Sequence, residues 1–181
     1  MLPKVIETER LRLRPITLED VEDVLAFATN PEWARYLPVP QPYSRKDAEE
    51  FVARQILTDR EQNPSWVLVF NGVAIGGINL RLDSDNNACE VGYSVAREHW
   101  GKGLATEAAR AVIDAAFQSL SDLNKVRAMA DLRNVASQRV MEKIGMTREG
   151  ILRQNRCFRG EYVDEVWYGL LRSEWESVTY A

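Results

Sequence analysis

Two residue types are nearly missing from this chain, and their scarcity narrows what it can do. There is one histidine, His99, and there are two cysteines, Cys89 and Cys157. Two thiols and a single imidazole do not make a familiar zinc site, so no metal is expected. So few cysteines also argue against a disulfide framework and fit a reducing, cytoplasmic setting. No apolar run approaches the roughly 18 residues that a membrane-spanning helix needs. Residues 1–14 carry too many charges for a signal peptide. Basic residues are in the minority, 23 Lys and Arg against 27 Asp and Glu, which gives a formal charge of −4 and a pI near 5.2. That balance excludes a nucleic-acid partner held by a basic field. It suits a cationic acceptor, such as an amine or a basic peptide. Repeats, linkers and low-complexity segments are also missing.

What is present is an ordinary globular balance, with 45% hydrophobic and 28% charged residues in 181. That length suits one domain, residues 1–181, with a sizeable core. Residues 9–15 alternate apolar and charged and read as a half-buried strand. Leu11 and Leu13 would point inward, with Arg10, Arg12 and Arg14 on the solvated face. Thr17 followed by Asp20 is a helix start, and the helix should end near Thr29, ahead of Pro31. Pro38, Pro40 and Pro42 break the next stretch, and Ser44 opens a second helix that ends near Arg60. Trp33, Tyr36 and Tyr43 cluster around that break, either lining a substrate entrance or pinning the two helices together.

Residues 65–70 are β-rich, Asn71-Gly72 signals a hairpin, and residues 73–80 return. A polar turn at 83–87 leads to a strand over 89–95. Between 104 and 117, Leu104, Ala105, Ala108, Ala109, Val112, Ile113, Ala116 and Phe117 share one helical face, with Glu107, Arg110 and Asp114 outward. Residues 125–131 form the next strand, parallel to 89–95 through a right-handed crossover. A helix over 134–144 stops at Gly145. Residues 147–158 and 162–171 make a closing hairpin, and 173–180 is a short helix or a frayed tail. The order is that of an α+β (mixed α/β) sheet of mixed strand direction.

The turn from strand to helix is the stretch with the most chemistry in it: His99-Trp100-Gly101-Lys102-Gly103-Leu104-Ala105-Thr106-Glu107. The first amides of a helix have no intrahelical acceptor and point along a dipole that favours negative charge. Glycines let a phosphate approach such amides closely. The turn therefore reads as a pyrophosphate cradle; a strand-to-helix turn that binds nothing is the alternative. Its spacing fits neither a Walker loop nor a full dinucleotide turn.

Trp100-Gly101-Lys102-Gly103-Leu104-Ala105 resembles the acetyl-CoA pyrophosphate loop of the GNAT superfamily of N-acetyltransferases, Arg/Gln-x-x-Gly-x-Gly/Ala. Gly103 and Ala105 match its last two fixed positions, while Trp100 stands where the pattern has Arg or Gln. Trp-Gly-Lys-Gly with Ala-Thr-Glu-Ala, and the opening Thr8-Glu9-Arg10-Leu11, resemble the ribosomal-protein-alanine acetyltransferase (RimJ/RimL-like) branch. A second signature, Asn134 to Met146, resembles Asn-x-x-Ala/Ser-x-x-Leu-Tyr-x-Lys-x-Gly-Phe. The resemblance implies a central, mostly antiparallel sheet of about seven strands with helices on both faces, and direct acetyl transfer from acetyl-CoA to a primary amine. In this branch the amine is a protein N-terminus; a polyamine or aminoglycoside is the enzymatic alternative, with Glu32, Asp47 or Glu161 as acidic walls. A non-catalytic CoA-binding module is the alternative outside enzymology. A homodimer and a monomer both stay open.

The resemblance also suggests roles. Backbone groups of Tyr93 and Val95 would meet the pantetheine arm, residues 100–106 the pyrophosphate, and Asn134, Ser137 and Arg139 the cofactor from the following helix. Asn134 is equally complete as a helix cap. Many relatives carry a tyrosine that protonates the departing thiolate, but that position is Met141 here. Ser137, one turn earlier, is the substitute, with a plain surface serine as the alternative. An attacking amine must be neutral, so a base is needed. Glu90 is the candidate: it shares a strand face with Gly92 and Ser94, which leaves room for an acceptor. A structural Glu90 paired with a cross-strand arginine is the alternative. His99 reads as a loop residue beside the turn.

Overall fold

The computed structural model describes residues 1–179. Strands β1 (Ile6–Glu7), β2 (Arg12–Arg14), β3 (Ser65–Phe70), β4 (Val73–Asp83), β5 (Ala88–Val95), β6 (Lys125–Asp131), β7 (Thr147–Phe158) and β8 (Glu161–Leu171) alternate with helices. The helices are α1 (Val21–Ala28), α2 (Arg45–Leu57), α3 (Leu104–Ser119), α4 (Val135–Lys143) and α5 (Arg172–Thr179). The tail expectation reaches Tyr180, which lies outside the described residues; up to Thr179 the tail is α5.

The eight strands form one sheet in the order β1-β2-β3-β4-β5-β6-β8-β7. That is one strand more than the expected seven, because residues 6–7 pair antiparallel with β2. Two residues are too few for alternation to register. All neighbours run antiparallel except β5 and β6, which are parallel and joined through α3. Trp66, Val67 and Leu68 are consecutive in β3 and all buried, so the sheet is covered on both faces there. The core gathers Leu13, Leu68, Leu80, Val91 and Val126 from the strands with Ala108, Val112, Ala116 and Phe117 from α3. The alanines of α3 hold that helix close against the sheet, and so fix the turn ahead of it.

Local chemistry sets the helix starts. Thr17 and Asp20 form a capping box at a short 3₁₀ turn that runs into α1, and Ser44 and Asp47 form another at α2. The solvated reading of the β2 arginines holds only in part. Arg14 makes a two-pronged contact with Asp20, which is 3% exposed. Burial works to raise the Asp20 pKa, but hydrogen bonds from Arg14 and Thr17 outweigh it and hold the carboxyl below its usual range. Arg10 meets Glu107 of α3.

Gly76 lies beside a bulge of β4 against β3, on the rung where β4 also pairs with Val95 of β5. Leu68 pairs with Gly76 and Val69 with Ala74, which leaves Ile75 as the extra residue. A Cβ added at Gly76 would stand 2.1 Å from the carbonyl oxygen of Ser94. Backbone cannot yield there as a side chain can. Gly76→Ala is therefore expected to cost about 2 kcal/mol or more, read as a lowered Tm. Gly92→Ala would meet only the Asn79 side-chain oxygen, at 3.1 Å, and is expected to cost less than about 1 kcal/mol by the same measurement. Equal costs at the two glycines would contradict this account of the bulge.

Candidate active site

β5 and β6 pair over three rungs only, Ala88↔Lys125, Cys89↔Val126 and Glu90↔Arg127, and then diverge. The strands part toward their C-terminal ends, where an open α/β sheet places its ligands. A cleft of about 530 Å³ opens there. Tyr93, Ser94 and Val95 of β5 form one wall, Gly101 and Gly103–Thr106 the base, and Asn134, Ser137 and Arg139 of α4 the other wall.

The base of the cleft is built as the sequence suggested. Gly103 caps α3 in the left-handed conformation at φ 78°, and it has no side chain with which to satisfy the first amides. The Glu107 amide already reaches Gly103 oxygen at 3.0 Å. The amides of Leu104, Ala105 and Thr106 precede it and have no acceptor inside the helix. A helix start left uncapped beside a cleft is a site for an anion. Trp100 also lines the cleft, and its indole N–H donates to the Val95 carbonyl at 2.6 Å. The Arg97 guanidinium lies 4.8 Å above the indole ring. Lys102 is exposed and is not part of the lining; its ammonium is 3.4 Å from His99 Nδ1. His99 does line the cleft, with its ring edge-on to Phe70.

Across the wedge, the Tyr93 hydroxyl reaches α4 and lies 3.1 Å from both the carbonyl and the hydroxyl oxygen of Ser137. Burial pushes the Tyr93 phenol up to about 12, against the pull of the Ser137 hydrogen bond. Asn134 caps α4 through its side-chain oxygen, which accepts from the Ser137 amide at 3.2 Å, and it lines the cleft as well. Met141 is 1% exposed, packed into the core.

Glu90 stands on the last paired rung, at the apex of the wedge, and does not line the cleft. Its carboxylate is 3.2 Å from Arg81, the residue opposite on β4. Strand alternation turns Glu90, Gly92 and Ser94 to the sheet face opposite Tyr93. Burial pushes the Cys89 thiol up to about 12, and Cys157 is exposed.

A strap closes one end of the cleft. Trp33–Tyr36 form a 3₁₀ turn, with Trp33 and Tyr36 in the lining. Glu32 pairs with Arg97 at 2.5 Å, the Tyr36 hydroxyl donates to the Arg133 carbonyl, and Arg159 donates to the Ala34 carbonyl. Tyr43 is buried instead, bonded to the Asp47 carbonyl, so it pins α2 and forms no part of the entrance. Sequence reading passed over Arg35, Arg133 and Lys143, which also line the cleft. For Lys143 a signal existed: it stands four residues after Arg139 on one helix face.

A model of the acetyltransferase (GNAT) domain matches residues 10–147. The uncharacterized N-acetyltransferase p20 of Bacillus licheniformis is 30% identical over 95% of this chain and 98% of its own. YdaF of Bacillus subtilis, provisionally named a ribosomal N-acetyltransferase, is 41% identical over 60% of each chain. A crystal structure of a GNAT-family acetyltransferase from Bacillus anthracis superposes with a TM-score of 0.83 at 28% identity, covering 94% of this chain and 99% of that one. With the wedge, the uncapped helix start and these similarities together, the chain belongs to the GNAT family of N-acetyltransferases.

Proposed function

We propose that the protein transfers an acetyl group from acetyl-CoA directly to a protein N-terminal amine, as in the ribosomal-protein branch of the family. The observation that carries the donor half is the uncapped start of α3 at the base of the cleft, with Gly103 as its cap. Residues 100–106 hold the pyrophosphate, with Arg139 and Lys143 nearby for further phosphate charge. The divergence of β5 from β6 admits the pantetheine arm between Tyr93–Val95 and α4. The C–N bond forms as the C–S bond breaks, with no acyl-enzyme. Cys89 is buried and held as a thiol, and no histidine stands next to either cysteine in the chain.

Glu90 takes the proton that the attacking amine loses. Its position at the apex of the wedge, facing away from Tyr93, suits an acceptor that enters from the sheet face opposite the donor. Arg81 lies 3.2 Å from the carboxylate and fixes where it points. The Ser137 hydroxyl donates a hydrogen bond to the thiolate as it leaves, as preorganised donors do at developing charge.

The three acids considered as polycation walls favour a peptide amine over a polyamine, because each already has a partner. Glu32 is paired with Arg97, Asp47 caps α2, and Glu161 lies 3.6 Å from Arg133. The lining carries Arg35, Arg133, Arg139 and Lys143 against Glu32 as its one acid. That excess of positive charge suits the phosphates of the donor.

Mixing the protein with acetyl-CoA and N-terminal peptides is expected to release free thiol well above the rate seen with spermidine. Faster release with spermidine would contradict the choice of acceptor, and CoA binding with no thiol released by any amine would favour the binding-module reading. Ser137→Ala is expected to lower kcat about tenfold to a hundredfold with little change in the KM for acetyl-CoA. Glu90→Gln should lower kcat/KM for the acceptor by about a hundredfold at neutral pH, and an unchanged pH–rate profile in this variant would remove Glu90 as the base.

A further inference from the structure

Sequence reading left two residues without a task in the reaction: Arg10, assigned to the solvated face of a strand, and Glu107, assigned to the outer face of α3. They stand 97 residues apart in the chain and meet behind the turn. Glu107 Oε1 accepts from the Thr8 hydroxyl at 2.6 Å and from the Arg10 amide at 2.9 Å. Glu107 Oε2 accepts from Arg10 Nε at 2.6 Å. The same guanidinium donates through Nη1 to the carbonyl of Lys102 at 2.8 Å, and its Nη2 lies 2.6 Å from Glu107 Oε2. The Glu107 side chain is only 16% exposed. Burial works to raise its pKa, but the bonds from Thr8 and Arg10 outweigh this and hold it below the usual carboxylate range.

The geometry has a consequence on the far side of the turn. A trans peptide unit points its C=O and its following N–H in opposite directions. Holding the Lys102 carbonyl from behind therefore aims the Gly103 N–H away from Arg10. Gly103 and Thr106 line both hollows, the one that holds Thr8, Arg10 and Glu107 and the cleft itself, so the turn is the wall between them. The peptide needs a lock. Gly101 and Gly103 both sit at positive φ, 76° and 78°, and a peptide next to a glycine flips at little cost because glycine accepts either sign of φ. Flipped, it would present the Lys102 carbonyl to the cleft, where an anion would be repelled. Glu107 poses a second hazard, since a free carboxylate in the first turn of α3 would compete for the helix dipole. Thr8 and Arg10 hold it on the other side of the wall.

We propose that Arg10 is a positioning residue for the donor site: it locks the 102–103 peptide with its N–H toward the cleft and draws the Glu107 carboxylate away from the bound diphosphate. The inference rests on the donor reading given above. An ordinary exposed ion pair would do neither, and its loss would pass almost unnoticed.

The test compares CoA with pantetheine, which has the same arm and no phosphates, using calorimetry on the full chain. Arg10→Ala is expected to weaken CoA binding about tenfold and leave pantetheine binding within twofold. Arg10→Lys keeps one positive charge but cannot reach the carboxylate and the carbonyl together, so it should fall between wild type and Arg10→Ala. It also serves if the alanine variant folds poorly. In turnover, KM for acetyl-CoA should rise while kcat stays within twofold. An equal loss for CoA and pantetheine would mark a merely structural role and overturn the proposal. So would CoA binding by both variants within twofold of wild type. If wild-type protein binds no CoA, the donor reading fails and takes this inference with it, whereas unchanged binding in the variants overturns this inference alone.

Discussion

The whole site depends on one constraint: β5 and β6 cannot stay paired beyond Glu90↔Arg127. A parallel pair would normally continue its ladder, and each unpaired buried backbone group is costly. Here the Trp100 indole takes up the Val95 carbonyl, and the Tyr93 side chain reaches across to Ser137 on α4. These bonds hold the wedge open at fixed points, so the cleft is part of the folded state and does not wait on a ligand to form it.

Around that wedge the fold brings distant segments together. The strap at residues 33–36 comes from the connection between α1 and α2. It is tied to the residues after β5, to the end of β6 and to the β7–β8 turn by Arg97, Arg133 and Arg159. The turn that starts α3 is backed by residues 8 and 10 of the N-terminal segment. Both walls are thus braced by residues far away in the chain, and the two sheet faces meet at the place where chemistry is expected. That arrangement fits a reaction between two substrates that enter separately.

Local patterns made most of the architecture legible. The capping pairs Thr17/Asp20 and Ser44/Asp47, the Asn71-Gly72 hairpin, the apolar face of α3 and Gly145 after α4 all work within a few residues of sequence, and each element formed where its pattern stood. The base of the cleft was legible for the same reason, since a glycine turn and the helix that follows it are contiguous. What sequence could not give was pairing across distance. Arg10 and Arg14 resemble each other in a charged-apolar alternation, yet one meets Glu107 and the other the buried Asp20. Tyr43 and Tyr36 lie seven residues apart in the same proline-rich stretch, yet only Tyr36 lines the cleft. In both pairs the outcome depends on which segment folds against the residue, and periodicity carries no record of that.

The central claim is that main-chain amides at the start of α3 grip a diphosphate and so aim a thioester between β5 and β6. The most direct measurement is the crystal structure of the protein soaked with CoA. The account predicts diphosphate oxygens within hydrogen-bond distance of amides among residues 103–106, and the pantetheine arm running past Tyr93 toward Ser137. Ligand density elsewhere on the molecule, or a cleft filled by its own side chains with CoA absent, would contradict it.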